Sequence, residues 1–508
     1  MGGQMDDIRQ LPDEDLWSRL ADADGRDRLE ILFELGGRAS RRGDGDRAMT
    51  LWQEAEAVAE EIDDHTMVAE ALRLQGAAAF YSGNYELAID LYGKAARGHE
   101  QVGQTREAAG ALWCLADSYG AVGDSENQLK TASESRKLAE YEQDHSLAGD
   151  ACQMQARALY LLNRDEEALA ACVAARDFYR TAEKPAKVAE VDDFAITVNL
   201  YLDNLDEALQ LARGCLVLAR ISSTEEDDAH ARMRLANVFL QRGDIDDALE
   251  QAGIALLAYK SHDNFVGAAT CEQLRGEAFL ERAETSQALA AFADARVIFD
   301  ATGRDHEALR CETRLAVALH YAGDYRAAAR ANRGLVDAYR QMEDQQSNAQ
   351  WSVVRLLDNL HEAGEHHECL QAAEDLMDAW PAGSTAEDPS YREYLGLYAH
   401  ALEQCGQSEQ ATAMASHVIA NTPSREAGLS TAYCYQVRGT SRLLNDEAAA
   451  SQDFSHAIAL LLARGRVDRA RELSTYFLPV DGGAGSRGST MPWQGEESLS
   501  PDSRGTHG

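Results

Sequence analysis

Three histidines lie close together in the stretch "HEAGEHHE" at residues 361–368, and imidazole nitrogens are common ligands of zinc and other transition metals. His361, His366 and His367 do not have the H-E-x-x-H spacing that places two ligands on one face of a helix. The stretch also straddles an expected turn, so the three rings need not share a face. We therefore expect a surface turn here, with a metal site as the alternative.

The sequence lacks the other motifs that commonly carry chemistry. It has no G-x-x-x-x-G-K-[ST] phosphate loop, no G-x-G-x-x-G after a strand and no G-x-S-x-G elbow. None of its nine cysteines forms a C-x-x-C pair. Carboxylate pairs occur throughout so acidic a chain, so they single out no acid–base pair. These observations predict a protein that is not an enzyme and that uses no metal or other cofactor.

The charge of the chain restricts its partners. Its 508 residues include 86 Asp and Glu against 48 Lys and Arg, a formal net charge of −38. Such an anion repels phosphate backbones and anionic membranes, so we expect neither nucleic acid nor a membrane as partner. The first residues, "MGGQMDDIRQ", lack the apolar stretch of a signal peptide. We therefore expect a cytoplasmic protein.

A short motif recurs along most of the chain. It reads "GNYELA" at residue 83 and "GDIDDA" at residue 243, and related hexamers begin at residues 43, 123, 163, 203, 283, 323, 364, 406 and 445. Eight of these eleven copies follow an unbroken 40-residue step. A fixed period of this length is the signature of a repeat architecture.

The motif has the residue types of a turn between two helices. Its Gly suits the left-handed backbone at a helix end, and the Asp or Asn that follows can cap the next helix by accepting from its free N–H groups. We expect such caps at Asn84, Asp124, Asn204, Asp244 and Asp324. Apolar and small residues step by three or four on both sides of each turn, which indicates helices with one buried stripe.

Small residues recur at fixed repeat positions, where two helices must pack closely. Cysteine is a small hydrophobic residue when buried. Two of the cysteines fall in a repeat column that alanine otherwise fills, which predicts a packing role for them; the column contains Ala71, Ala111, Ala151, Ala231, Cys271 and Cys311.

Residues 69–95, "AEALRLQGAAAFYSGNYELAIDLYGKA", resemble a tetratricopeptide (TPR) repeat; Gly76, Gly83, Tyr85, Ala88, Tyr92 and Ala95 occupy the signature positions. The 40-residue variant is similar to the repeats of kinesin light chain and of bacterial peptide-sensing regulators. It is longer than the usual ~34 residues, so each hairpin needs longer helices or a longer connector. The resemblance implies an all-α, right-handed superhelical solenoid of about eleven helix-turn-helix repeats over residues 28–465.

The remaining segments flank or interrupt the array. We expect residues 1–27 to be an N-terminal cap and residues 466–478 a C-terminal capping helix, because solenoids need polar ends. Residues 479–508 are rich in Gly and Ser and are expected to be disordered, although Trp493 could anchor a docking motif. Pro381 and Pro389 mark a loop, and a possible hinge, at residues 379–394.

The resemblance also implies where a partner would bind. In TPR arrays the first helix of each hairpin lines a concave groove, and mapping those positions onto this sequence predicts a groove of arginines, aromatic residues and one Asn; the residues are Arg73, Phe80, Tyr81, Trp113, Arg157, Tyr160, Arg234, Asn237, Arg314, His320, Tyr321 and Arg355. Arginine binds carboxylates and stacks on rings. The arginines could instead neutralise acidic residues of neighbouring helices, such as Glu70, Asp117 and Asp193.

Two functional hypotheses follow, and a third stays open. The first is a non-catalytic scaffold or adaptor that binds a peptide segment of a partner protein in the groove, with arginines selecting acidic groups. The second is a peptide-sensing receptor that changes its pitch on binding and has no DNA-binding domain of its own. The third is a subunit or inhibitor of an enzyme encoded elsewhere. The sequence leaves the partner and the oligomeric state undetermined.

Overall fold

The structure, a computed structural model, describes residues 8–222, 224–342 and 345–477. These residues form two compact units that divide between Asp324 and Tyr325. Within the described ranges every regular element is a helix and there is no strand, which confirms the predicted all-α class. No helix in those ranges combines the length and the apolarity that crossing a bilayer requires.

The first unit is a regular series of helices joined by short turns. From Gly25 onwards a new helix begins every 20 residues. The helices are α1 (Asp13–Asp22), α2 (Gly25–Arg41), α3 (Gly45–Glu61), α4 (His65–Tyr81), α5 (Tyr85–Gln101), α6 (Thr105–Ala121), α7 (Ser125–Tyr141), α8 (His145–Leu161), α9 (Asp165–Thr181), α10 (Pro185–Tyr201), α11 (Leu205–Ser222), α12 (Glu225–Arg242), α13 (Ile245–Ser261), α14 (Phe265–Glu281), α15 (Thr285–Ala301) and α16 (Asp305–Tyr321). Each 40-residue repeat is therefore two halves of equal length, and its extra residues lengthen both helices.

The turns explain the recurring glycine. In the turn 82–84, Gly83 has a φ of +80°, which a residue without Cβ adopts at no steric cost. The same left-handed position recurs at the end of both helices of a repeat. Glycine fills it at Gly43, Gly83, Gly103, Gly123, Gly243, Gly303 and Gly323, whereas side chains are tolerated at Asp63, Gln143, Asn163, Glu183, Asp203, Asp263 and Ala283.

Most of the predicted caps that the structure tests are present. Asn84 and Asp124 each accept a hydrogen bond from the backbone N–H three residues further on, at 3.3 and 3.1 Å. The prediction for Asp244 is wrong: its side chain caps nothing. Its carboxylate lies 3.2 Å from Nε of Arg242, so an ion pair replaces the cap.

The two helices of a hairpin cross where a small residue faces a large one. A Cβ atom placed on Gly76 of α4 would lie 2.9 Å from the ring of Tyr92 on α5. Gly36–Trp52 and Gly276–Phe292 are further small-to-large pairs of this column. In other hairpins two small residues meet instead, as Ala116 and Ala132 do in one buried cluster and Ala156 and Cys172 in another.

The cysteines of the alanine column pack as predicted. Cys271 and Cys311 are each fully buried, as are Ala71, Ala111 and Ala151 at the equivalent positions. Their thiols fill space between helices in the same way as the alanine methyl group. This confirms the predicted packing role.

The second unit has a large hydrophobic cluster and less regular helices. The helices are α17 (Tyr325–Arg340), α18 (Gln346–Glu362), α19 (His366–Asp375), α20 (Pro389–Gln404), α21 (Ser408–Asn421), α22 (Leu429–Arg442), α23 (Glu447–Ala463) and α24 (Val467–Phe477), with a 3₁₀ turn at Met377–Ala379. α24 buries Ala470 and Leu473 against the core. The tail at 479–508, including Trp493, lies outside the described residues.

The proline-bracketed loop is packed onto the core of the second unit. Trp380 is buried, and its indole N–H donates to Oγ of Ser390 at 3.0 Å. Arg392 donates to the carbonyl oxygen of Ala386 at 3.0 Å. That the loop is a hinge stays a prediction.

The N-terminal segment packs on the first hairpin. Leu16 and Leu20 of α1 are buried in the same cluster as residues of α2 and α3. Arg38 of α2 fixes the preceding chain by donating to the carbonyl oxygens of Leu11 and Arg9 at 2.7 and 2.9 Å. This segment therefore covers apolar surface at one end of the series.

The crossing of α4 and α5 gives a test of the packing. We predict that Gly76→Ala lowers the free energy of unfolding by about 1–2 kcal/mol, because the new methyl group must displace the Tyr92 ring. Gly93→Ala on α5 is the matched control: its Cβ would make only ordinary contacts, so losing glycine flexibility should raise stability by about 0.5–1 kcal/mol. Urea unfolding followed by circular dichroism measures both, and equal shifts of the same sign would contradict the packing account.

Candidate functional site

The first helices of the hairpins form the inner face of the first unit. Each helix packs on the next one in sequence, but first helices also pack directly on the following first helix, most closely for α6 with α8 and for α12 with α14. Among the described residues of this unit, no pair of successive second helices has comparable contact. The series therefore curves with its first helices inside, as the resemblance implies.

A cleft runs across four consecutive first helices on this face. Its wider part, of about 550 Å³, is lined from α4, α6 and α8 and reaches Lys184 just before α10. Its narrower part, of about 220 Å³, is lined from α6, α8 and α10. Trp113 and Asp150 line both parts, so the two parts adjoin at these residues.

The cleft brings together three of the residues predicted for the groove. Arg73 lines the wider part, Arg157 the narrower part, and Trp113 both. The other predicted residues lie elsewhere: Arg234 and Asn237 are on α12, Arg314 is on α16 and Arg355 is on α18 of the second unit. These four residues belong to neither part of the cleft.

The predicted aromatic residues lie at the ends of the first helices, beside the hairpin turns. Tyr81 is 87% exposed, and the rings of Phe80 and Tyr81 meet edge to face with centroids 5.8 Å apart. Tyr160 packs edge to face against Tyr201 at 6.1 Å, and His320 packs in the same way against Tyr321 at 5.8 Å. Tyr81 and Tyr321 are exposed, whereas Phe80, Tyr160 and His320 are partly buried, and none of the five lines the cleft.

Several of the predicted arginines are already bound by carboxylates of the protein. Nε and one terminal nitrogen of Arg73 donate to the two oxygens of Glu70, at 2.8 and 2.5 Å. Arg234 forms an ion pair with Asp193 of the preceding first helix, and Nε of Arg314 lies 3.6 Å from Glu277. These pairs are the neutralising contacts that the sequence analysis left as an alternative.

The narrower part of the cleft contains charged residues that were not predicted for the groove. Asp150 accepts a hydrogen bond from the hydroxyl of Tyr179 at 2.8 Å, and Lys187 pairs with Glu190 at 3.0 Å. A signal for them was present in the sequence. Asp150 and Glu190 share a 40-residue column with Glu70, one helical turn before the column of Arg73 and Trp113.

Asp117 has an unusual environment within the cleft. It is half-buried, and the part of the chain that the structure describes offers it no hydrogen bond and no ion pair. Burial raises the pKa of this carboxyl group, and the charge of Arg157 lowers it by a smaller amount. Asp117 is thus a partly desolvated carboxylate without a close counter-ion.

The cleft differs in charge from the chain as a whole. Five carboxylates and five basic side chains line its two parts, so its formal charge is zero in a chain of −38. The acidic residues are Glu107, Asp117, Asp144, Asp150 and Glu190, and the basic residues are Arg73, Arg106, Arg157, Lys184 and Lys187. A surface of alternating charge around an indole can pair with both signs of charge on a ligand.

The stretch "HEAGEHHE" contains the expected turn, with Gly364 exposed at a φ of +74°, but not all of its histidines lie at the surface. His361 is buried in the second unit, with its ring centroid 4.5 Å from that of His400 and 4.7 Å from that of Tyr433. His366 also joins this cluster, with its ring 5.7 Å from His361. The burial of His361 was not predicted because α20 and α22, which bring His400 and Tyr433, are distant in sequence. Only His367 is exposed.

The histidine cluster does not fit a metal ion. A guanidinium nitrogen of Arg469 lies 3.4 Å from Nε2 of His361, so a second cation there would be repelled. Nowhere in the described ranges do three His, Cys, Asp or Glu side chains have the arrangement of a metal site.

Burial holds the cluster in the neutral state. It lowers the pKa of His361 to about 3, and Arg469, His366 and Arg466 act in the same direction. It also lowers the pKa of His400 well below its usual value, with His361, Arg469 and His366 adding to the effect. Neither ring nitrogen of His400 has a hydrogen-bond partner among the described residues.

The cluster should make the second unit sensitive to acid. Folded His361 and His400 stay neutral while the unfolded chain binds protons near pH 6.5, so stability is complete above about pH 6.5 and falls as the pH drops towards 3. Each of the two rings should lower the free energy of unfolding by about 1.4 kcal/mol for every pH unit of acidification in that window. Hydrogen exchange of α18, α20 and α22 in the full chain, corrected for intrinsic rates, should show this loss of protection.

A substitution separates this effect from general acid destabilisation. His400→Phe keeps a ring against His361 and Tyr433 but removes the titrating group, so it should flatten the pH dependence. His417→Gln, at an exposed position of α21, should leave it unchanged. An equal pH dependence in the wild type and in His400→Phe would show that the buried imidazoles do not cause it.

The chain was compared with protein families, curated proteins and solved structures. No family model matches it, and no curated protein matches it. The apo form of RapI is 13% identical with a TM-score of 0.47, covering 56% of this chain and 79% of its own. A Rap protein complexed with Competence and Sporulation Factor is 16% identical with a TM-score of 0.40, covering 63% of this chain and 99% of its own.

A third solved structure has kinesin-type repeats. A kinesin light chain from Podosopora anserina with nearly identical TPR-like repeats is 13% identical with a TM-score of 0.34, covering 38% of this chain and 95% of its own. Likeness at this level indicates nothing about what this chain binds.

The hairpins themselves have the turn, the small-to-large crossing and the packed first helices that the TPR resemblance predicts. The described residues thus have a TPR-like helical repeat fold.

Proposed function

We propose that this protein is a non-catalytic interaction scaffold that binds a peptide segment of a partner protein across the first helices of its first unit. One observation carries the proposal: the cleft over α4, α6, α8 and α10 continues for three hairpin steps with Trp113 at its centre. An extended peptide is long and narrow enough to follow such a cleft. Binding hot spots typically have an aromatic side chain surrounded by polar residues.

The balance of charge in the cleft supports a peptide rather than an anionic polymer. Arg73 and Arg106 are each paired with a carboxylate, Glu70 and Asp144 respectively, so they offer no row of free cations. A nucleic acid would need unpaired cations along its backbone. A peptide can instead satisfy mixed charges with its own side chains and main-chain amides.

Cross-linking tests the proposed face. We predict that a photoreactive benzoylphenylalanine at Gly110 or at Lys187 will cross-link to the same segment of one partner in host cells. Gly110 suits the probe because a Cβ atom there meets nothing within 4 Å. Mass spectrometry of the cross-linked peptides identifies the segment.

The control position is Asp294, which is exposed on the second helix α15. Benzoylphenylalanine there should not capture the segment that Gly110 and Lys187 capture. Cross-links that form only from Asp294, or different segments captured from Gly110 and Lys187, would contradict the proposed face.

A further inference from the structure

We propose that the narrower part of the cleft is a pocket for a cationic side chain, arginine above all, of the bound peptide, with the indole of Trp113 and the carboxylate of Asp117 as its recognition elements. The inference rests on the proposed function, because it names the chemical group that the cleft selects. It reverses the expectation, drawn from the sequence, that arginines of this protein select acidic groups.

The arrangement of Trp113 and Asp117 suits a guanidinium group. They are four residues apart on α6, so they lie on one face of the helix one turn apart. Both line the narrower part of the cleft. A cation over the face of an indole is attracted by the ring quadrupole, while a carboxylate beside it can accept two parallel N–H groups from arginine.

A bound cation should stabilise Asp117 more than it stabilises the neighbouring carboxylates. Asp150 already accepts from Tyr179 at 2.8 Å, and Glu190 already pairs with Lys187 at 3.0 Å. Asp117 has neither a hydrogen bond nor an ion pair from any described residue, although it is half-buried. In the free protein only the charge of Arg157 offsets the desolvation of this carboxylate, and by less than its full amount, so an incoming cation would stabilise the charged form further.

The basic residues of the pocket do not favour an anionic ligand to the same degree. Lys187 is held between Glu190 and Asp150, with its nitrogen 3.0 and 4.0 Å from their oxygens. Arg157 is exposed and keeps its hydration, so an anion bound to it would be screened by water. Three carboxylates and two cations line this part of the cleft, and the chain's charge of −38 attracts cationic partners over a longer range.

The pocket can be tested with three pentapeptides, acetyl-Ala-Ala-X-Ala-Ala-amide. The residue X is arginine, citrulline or glutamate. Citrulline has the shape of arginine without its charge. The protein is labelled with 5-fluorotryptophan, and Trp113→Phe assigns the resonance of Trp113 among the six tryptophans. Fluorine NMR titrations of the full chain then report binding at this indole even when the affinity is millimolar.

We expect the arginine peptide to shift the Trp113 resonance with an affinity at least five times that of the citrulline peptide. Asp117→Asn should remove that preference, whereas Asp294→Asn on α15 should leave it intact. Acidification should lower the affinity for the arginine peptide, because protonation removes the charge of Asp117. This loss should begin at a higher pH than for an ordinary aspartate, since burial raises the pKa of Asp117. Unchanged resonances of the other tryptophans show that the variants remain folded.

Other outcomes would overturn the inference in distinguishable ways. Equal binding of the arginine and citrulline peptides, or preferential binding of the glutamate peptide with loss in Arg157→Gln, would remove the cationic pocket but keep the cleft as a peptide site. No shift at Trp113 with any of the three peptides would overturn the pocket. Absence of the Gly110 and Lys187 cross-links as well would then overturn the proposed function.

Discussion

The Gly76–Tyr92 crossing shows the constraint on which the rest of the first unit depends. A Cβ atom on Gly76 would come within 2.9 Å of the Tyr92 ring, so a large residue on one helix of a hairpin requires a small residue on the other for the helices to approach. Because helices begin every 20 residues with short turns between them, each crossing repeats with the same orientation. The first helices consequently fall on one face, and residues 40 positions apart become neighbours on that face.

That neighbour relation determines the electrostatics of the inner face. A carboxylate on one first helix and an arginine on the next can pair, as Asp193 and Arg234 do. Pairs of this kind neutralise Arg234 and Arg314, and Arg73 pairs with Glu70 on its own helix. Around Trp113 the pairing is incomplete, because Asp117 is matched only by the exposed Arg157 at longer range. The proposed binding chemistry arises from this incomplete pairing of Asp117.

The sequence predicts the hairpins well because their determinants are local. The glycine of the turn, the cap at Asn84 and the small residue at Gly76 each act within one hairpin, and all three behave as predicted. The cap at Asp244 fails because a nearer cation, Arg242, competes for the carboxylate. Single residues of this kind are decided by neighbours that a repeat pattern does not encode.

The site was only partly predictable, since its properties depend on contacts between hairpins. The TPR resemblance placed Arg73, Trp113 and Arg157 on the inner face, and the cleft brings them together. Arg73 pairs with Glu70 on its own helix, whereas the partner of Arg314 is Glu277 on the preceding first helix, which only helix packing brings close. The buried cluster of His361, His400 and Tyr433 was missed because three separate helices of the second unit bring it together.

The central claim is that the first helices of the first unit are the recognition surface of this protein. Hydrogen exchange of the full chain, measured with and without a partner purified from its own host, tests that claim most directly. The account predicts slowed exchange in α4, α6, α8 and α10, with little change in the second helices α5, α7 and α9. Protection confined to those second helices, or to the second unit alone, would contradict it.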